Sequence, residues 1–258
     1  MLCKICTNHA ILFDTVDFSK SCTEQSGTIL PESYELVKYY RCNYCNFIFT
    51  PHFDTFTAHE FIEKIYNQDY VQFDPLYPEI RPKTNARFLQ SIVDDCYFSQ
   101  KPLTILDYGA GNGRLSEILK NSFCVYNFDP LNPSFNNLPD IAFDLIFSSE
   151  VVEHTPYPHQ IVKDWNSLLK PGGAIIFSTM LQPHDLTDAS WWYISPRNGH
   201  ISIYSHDSLD ALCDANGLKY QTLNGEWHVA FHKNQTIELN IEQLKKIVGD
   251  LPIGFIAI

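Results

Sequence analysis

Residues 103–114 read LTILDYGAGNGR, and the reading of this stretch decides the fold. A short apolar run (Leu103, Ile105, Leu106) ends in Asp107. Gly109, Gly111 and Gly113 alternate behind it, and an amphipathic pattern follows in Leu115, Ile118 and Leu119. That order predicts a strand, a tight glycine turn and the start of a helix. Glycine in such a turn lets the backbone approach a ligand closely and take up φ > 0, while the helix start offers N–H groups without intrahelical partners. The dinucleotide fingerprint G-x-G-x-x-G is excluded, because position 114 is Arg rather than Gly.

Residues 124–129 (CVYNFD) predict the next strand, ending in an acid, Asp129, which lies 22 residues after Asp107. A carboxylate at that place accepts two hydrogen bonds from a ribose cis-diol better than a neutral side chain does. Further on, residues 143–149 (FDLIFSS) read as a buried strand that runs into EVVEHTP. A helix pattern with Ile161, Val162, Trp165, Leu168 and Leu169 then ends at Lys170-Pro-Gly-Gly173, and a strand follows over residues 174–180.

The D-x-G-x-G-x-G motif, the acid of the second strand and the order strand, E-x-x-E-H, helix, LLKPGG, strand resemble the class I S-adenosylmethionine (SAM) dependent methyltransferases. SAM brings an amino-acid tail and a cationic sulfonium rather than a pyrophosphate, which suits an acid in the turn. The resemblance implies an α/β fold, a doubly wound Rossmann-like sheet, and a SAM site at Asp107, Tyr108, Gly109, Ala110, Gly111, Gly113, Asp129, Pro130 and Ser148. An aromatic segment ahead of the core, with Tyr66 and Tyr70, is implied to close over the SAM amino-acid end. One departure is visible: only 14 residues separate Asp129 from Asp144, and they include three prolines. A helix plus a strand needs about twice that, so the sheet edge after strand two is expected to be shortened, with the loop over residues 131–140 covering the adenine.

The chain has 258 residues, 45% hydrophobic content and a net charge of −12, enough for one catalytic domain and a small module. No basic run stands out, which argues against nucleic acid and acidic membrane surfaces as partners. The opening MLCKICTNHAILFD carries no long apolar stretch, and nothing approaches the ~20 apolar residues of a membrane span, so a cytoplasmic location is expected. With eight cysteines and no export signal, metal binding is favoured over disulfides. Cys3-x-x-Cys6 and Cys42-x-x-Cys45 are spaced as two knuckles that close on one ion, and four soft ligands suit a structural, tetrahedral Zn²⁺. An iron–sulfur site or a redox pair would use the same spacing. Cys22 is a spare thiol, and Cys96, Cys124 and Cys213 are expected in the core.

The expected organisation is a zinc module over residues 1–55, a helical connector over the SAM site at 56–98, a methyltransferase core at 99–235 and a C-terminal helix and tail at 236–258. Thr57 and Glu60 predict a capping box for a helix over 57–70, and an apolar stripe predicts another at 84–97. Ser205 is expected to cap a helix that ends near Asn216-Gly217, and residues 218–223 and 227–231 to form a hairpin turning at Asn224-Gly225. His228 reads as a satisfied strand histidine.

Methyl transfer needs an aligned nucleophile and, for a hydroxyl, removal of its proton. Glu150, Glu153, His154 and His200 are the candidate catalytic groups. A histidine could serve as general base. Alternatively all four could bind a divalent ion, since E-x-x-E-H with a later His is similar to the metal quartet of small-RNA 2′-O-methyltransferases and ubiquinone O-methyltransferases; or the pair could only close the cleft by hydrogen bonds. Two carboxylates with two imidazoles suit Mn²⁺, Fe²⁺ or Zn²⁺ better than Mg²⁺. Arg197 and Asn198 are candidate clamps for a substrate anion, and Tyr193, beside Trp191 and Trp192, a candidate stacking surface. The four-cysteine module ahead of EVVEHTP and PRNGH resembles the zinc-module methyltransferases of bacterial surface-polysaccharide, capsule and deoxysugar biosynthesis. That implies a sugar, nucleotide-sugar or phosphorylated small molecule as acceptor, methylated at oxygen. A nucleic-acid-end methyltransferase and a zinc-scaffolded SAM-binding adaptor are the alternatives.

Overall fold

The computed structural model describes residues 1–97 and 102–249. Two compact units emerge, and neither is continuous in sequence: one comprises residues 1–75, 152–160 and 180–212, the other 76–151, 161–179 and 213 onward.

The second unit carries the large sheet. Its strands are β4 (Thr104–Tyr108), β5 (Cys124–Phe128), β6 (Phe143–Ser149), β7 (Leu169–Ser178), β9 (Leu218–Thr222) and β10 (Trp227–His232), in the order β5-β4-β6-β7-β10-β9. β5, β4, β6 and β7 run parallel, and β10 lies antiparallel to both β7 and β9. β4 and β6 are buried along most of their length, as central parallel strands are. β5 is the edge strand, as the short connection after Asp129 predicts. For that reason Cys124, expected in the core, is exposed, whereas Cys96 and Cys213 are buried as expected.

Helix α3 (Ile80–Cys96) contributes Phe88, Leu89, Ile92 and Cys96 to the core that also holds the strand residues Ile105, Leu145, Phe147 and Ile176. α4 (Arg114–Leu119) follows the glycine turn, and α7 (Ile241–Gly249) buries Leu244 and Val248 in the same core. The expected tail over 250–258 lies outside the described residues. The stretch 170–173, expected to be a turn ending the preceding helix, is part of β7: helix α5 (Pro158–Leu168) stops first, and Lys170 is held by Asp144 at 2.8 Å.

The first unit holds a four-stranded sheet, β1 (Ala10–Asp17), β2 (Leu36–Cys42), β3 (Ile48–Phe49) and β8 (Ser202–Ile203), joined in that order by antiparallel pairing. The Ile48↔Ile203 pair ties residues near the N-terminal cysteines to the segment just after His200. This long-range pairing is why residues 152–160 and 180–212, expected within the methyltransferase core, pack with the N-terminal unit instead. The capping box of Thr57 and Glu60 is present at α1 (Ala58–Lys64), but the helix ends sooner than the expected 57–70 and a short α2 (Tyr70–Phe73) follows. α6 (His206–Ala215) starts where expected, with the Ser205 hydroxyl accepting from the Ser208 N–H at 3.0 Å.

Candidate active site

In the second unit β4 delivers Asp107 and then the glycine loop. Gly109, Gly111 and Gly113 adopt φ of +87°, +54° and +75°, a region closed to most side chains. The N–H groups of Gly109 and Ala110 both donate to the Phe128 carbonyl, at 2.7 and 3.0 Å, which pins the loop to the end of β5. A Cβ on Gly109 would lie 2.2 Å from a Val151 methyl, and one on Gly111 would lie 2.7 Å from the Tyr77 hydroxyl. The loop is thus bare because neighbours already fill the space beside it. Tyr77 is a residue that sequence reading missed, although an aromatic among the prolines at 75, 78 and 82 was the signal available.

Asp107 is only 6% exposed, and its carboxyl is pushed up to about 7, first by burial and then by the charge of Asp129. Asp129 accepts from the Gly111 N–H at 2.8 Å and from the Leu131 N–H at 2.9 Å, yet burial still raises it. Ser148, on β6, has its hydroxyl buried without a hydrogen-bond partner among the described residues. Two acids short of compensating charge and one orphaned hydroxyl suit a ligand that brings a cation and several hydrogen-bonding groups. The Tyr108 side chain is engaged within the unit: its hydroxyl donates to Asp164 at 2.7 Å and its ring packs on Phe128. Pro130 is exposed in the turn after Asp129.

The raised Asp107 gives a pH prediction. Below pH 7 this carboxyl is protonated, and a cation seated against it would expel that proton. SAM binding should therefore tighten as pH rises, being about tenfold weaker at pH 6 than at pH 8, with proton release below pH 7. Calorimetry in buffers of different ionisation enthalpy measures both, and Asp107→Asn should flatten the profile. The same sign holds for stability. Between pH 4 and 7 the folded chain carries a proton that the unfolded chain has lost, so raising the pH through that window destabilises the unliganded unit.

In the first unit, Glu153, His154 and His200 each present a ligand atom within 4.8 Å of the others. Glu153 is fully buried. Its Oε1 accepts from the Tyr193 hydroxyl at 2.9 Å, and its Oε2 has no hydrogen-bond partner among the described residues. His154 Nδ1 lies 3.1 Å from the Gly199 carbonyl and His200 Nδ1 lies 2.7 Å from the Tyr193 carbonyl. A carbonyl only accepts, so both rings carry hydrogen on Nδ1, and in the neutral form both place a lone pair on Nε2. His154 Nε2 is 3.8 Å from Glu153 Oε1, and the two rings stand edge to face at 5.0 Å. Histidines locked by Nδ1–H to carbonyls beside a carboxylate are the arrangement that metal-binding imidazoles use.

Glu150 is the expected fourth member that does not join this group. It follows β6 in the second unit with φ +55°, and its carboxylate accepts from the Ser178 hydroxyl at 3.2 Å. Arg197 and Asn198 were expected to clamp a substrate anion, but both hold the chain itself. Arg197 donates to the Ile65 carbonyl at 3.0 Å and lies 3.9 Å over the Phe73 ring. Asn198 donates to the Phe73 carbonyl and accepts from the Cys22 N–H. Tyr70 is buried in this unit against Tyr66 at 5.0 Å. Tyr193, expected to stack on substrate, is 1% exposed and faces inward, while Trp191 and Trp192 are half-buried. His228 is satisfied, with Nε2 donating to the Thr179 carbonyl at 2.9 Å.

The four cysteines Cys3, Cys6, Cys42 and Cys45 also converge, all sulfurs within 4.8 Å of one another and Cys3–Cys45, Cys6–Cys42 and Cys6–Cys45 at 3.7, 3.4 and 3.5 Å. Tetrahedral sulfurs about 2.3 Å from zinc stand ~3.8 Å apart. The two knuckles repeat one geometry. In each, the residue after the second cysteine (Thr7, Asn46) has φ +59°, and its N–H returns to the carbonyl of the first cysteine. In each, an N–H two residues past the first cysteine points at its sulfur at 3.4 Å.

A parallel sheet with a glycine loop after its central strand and an acid after the next is the architecture of class I SAM-dependent methyltransferase domains. A methyltransferase-domain family model matches residues 77–223, and the chain belongs to that family. Among curated proteins it is similar to the mitochondrial ubiquinone biosynthesis O-methyltransferase of Dictyostelium discoideum, at 30% identity over 55% of this chain and 47% of that one. The Homo sapiens protein of the same name is 26% identical over 59% of this chain and 53% of its own. The chain thus spans about half the length of these relatives. Among solved structures, a 1,6-didemethyltoxoflavin N1-methyltransferase from Burkholderia thailandensis superposes with a TM-score of 0.49 and 14% identity, covering 80% of this chain and 98% of that one. Among the described residues no helix is long and apolar enough to cross a membrane.

Proposed function

We propose that this chain transfers the SAM methyl group to a hydroxyl oxygen of a small molecule, with a divalent cation held by Glu153, His154 and His200. The observation that carries this reading is the buried Glu153, whose Oε2 has no hydrogen-bond partner among the described residues, grouped with two imidazoles whose Nδ1–H groups are already engaged. One carboxylate and two histidines suit Mn²⁺, Fe²⁺ or Zn²⁺. When bound, such an ion acts as a Lewis acid that lowers the pKa of a coordinated hydroxyl.

On the cofactor side, Asp107 would accept the SAM ammonium, the glycine loop would let the amino-acid tail approach the backbone, and Asp129 would take the ribose hydroxyls, with Ser148 supplying one more hydrogen bond. The methyl carbon leaves sulfur as it joins the acceptor oxygen, and the acceptor proton must go to a base; His154 is the group for that role if no ion is bound. Cys3, Cys6, Cys42 and Cys45 would hold a structural zinc with no open position. The relatives' names favour oxygen as the acceptor atom. The four-cysteine module favours a carbohydrate-related or phosphorylated precursor of a bacterial surface polysaccharide, and the cytoplasm as the site of action.

Elemental analysis and calorimetry test this reading. We expect one tightly held zinc per chain, SAM binding that survives mild chelation, and methyl transfer that the same chelation removes and Mn²⁺ restores. The acceptor panel should include sugars, nucleotide sugars and catechols. Transfer that continues undiminished after chelation would leave the histidine base as the mechanism, and absence of SAM binding would sink the proposal.

A further inference from the structure

Tyr193 touches two of the three members of the Glu153–His154–His200 group, through opposite ends of the residue. Its hydroxyl donates to Glu153 Oε1 at 2.9 Å and in turn accepts from the Met180 N–H at 3.2 Å. Its carbonyl accepts from His200 Nδ1–H at 2.7 Å, and its ring lies against the His200 ring with centroids 4.2 Å apart. At 1% exposure it is buried. The hydroxyl holds Oε1, the Glu153 oxygen 3.8 Å from His154 Nε2, while Oε2 has no hydrogen-bond partner among the described residues. The carbonyl fixes which nitrogen of His200 carries hydrogen and which carries the lone pair.

We propose that Tyr193 is a positioning residue: it holds the Glu153 carboxylate in place beside His154 and fixes the ligating nitrogen of His200, so that the donor set is formed before a cation arrives. This rests on the cation-site reading of the preceding subsection. Partners of this kind around a metal ligand are worth about 10- to 100-fold in metal affinity, and here one residue supplies two of them. Tyr193→Phe removes only the hydroxyl and leaves the carbonyl and the ring, so it isolates the Glu153 half.

The test is Mn²⁺ binding, by electron paramagnetic resonance and calorimetry, on the full chain with its cysteine-bound zinc retained. His154→Ala identifies the relevant site as the one it abolishes. Tyr193→Phe should weaken Mn²⁺ there by about 10- to 100-fold, while SAM affinity stays within twofold. Tyr204→Phe removes another buried hydroxyl of the same unit, one that donates to the Val152 carbonyl at 3.0 Å, and should leave Mn²⁺ affinity within twofold. Equal losses in both variants would reduce Tyr193 to a general packing role and overturn the proposal. Unchanged Mn²⁺ affinity in Tyr193→Phe would overturn it while leaving the cation site standing. A wild-type chain that binds no Mn²⁺ at a His154-dependent site would remove the cation reading itself, and this inference with it.

Discussion

A Gly109→Ala chain is expected to lose SAM binding and to be destabilised by about 2–5 kcal/mol, the sum of left-handed strain on alanine and of overpacking in a filled space. Both terms come from the structure: φ is +87° and the new methyl would lie 2.2 Å from Val151. Because the Gly109 and Ala110 N–H groups fasten the loop to Phe128, displacement of this residue shifts the whole turn that Asp107 and Asp129 flank. Gly225→Ala is the control. It has a similar φ of +84° but nothing within 4 Å of the added atom, so it should cost only the ~1–2 kcal/mol of strain and keep SAM affinity. Thermal melting and calorimetry on the two variants decide it, and equal behaviour of the pair would show that packing around the loop does not matter.

The second large effect concerns the cysteines. If they hold zinc as proposed, Cys42→Ser should release the metal and unfold the N-terminal unit, since structural zinc binding contributes about 10–16 kcal/mol at neutral pH. Cys42 is buried at the end of β2, and its carbonyl and N–H both close the second knuckle. The carbonyl of the neighbouring ligand, Cys45, accepts from Ser205 at 2.7 Å, and β3, three residues further on, pairs with β8 directly after His200. Loss of zinc should therefore also erase Mn²⁺ binding at Glu153, His154 and His200. Scanning calorimetry should then show a single remaining transition, from the unit that holds the large sheet. A variant with less than stoichiometric zinc but an unchanged melting profile and unchanged Mn²⁺ affinity would contradict this.

What could be read from the sequence was whatever local spacing determines. The glycine loop, Asp129 at the end of its strand, the shortened sheet edge and the two knuckles each depend on neighbours within a few residues, and each stands where expected. Side chains whose roles depend on distant partners could not be read. Arg197 looked like an anion clamp because a sequence does not disclose that the Ile65 carbonyl and the Phe73 ring lie beside it. Tyr193 looked like a stacking surface because nothing local says that it faces Glu153. The apolar pattern around Cys124 points to the core because it does not distinguish an edge strand from a central one. Glu150, three residues before Glu153, has the spacing of a companion, yet the backbone at that point turns left-handed and the carboxylate accepts from the Ser178 hydroxyl.

The pairing of Ile48 with Ile203 also bears on how the molecule comes into being. At a synthesis rate of about 5–20 residues per second, the second partner leaves the ribosome roughly 8–30 s after the first. During that interval both cysteine knuckles are already outside, with all four thiolates available to an ion, while β3 has no β8 to complete its ladder. Glu153 emerges earlier than His200, so a ribosome-bound chain passes through a stage in which the carboxylate exists without its second imidazole. The ladder that links the cysteine hairpins to the histidine segment is thus a late event of biogenesis, and the N-terminal unit, although its first residues are made first, is closed only after most of the large sheet has been synthesised.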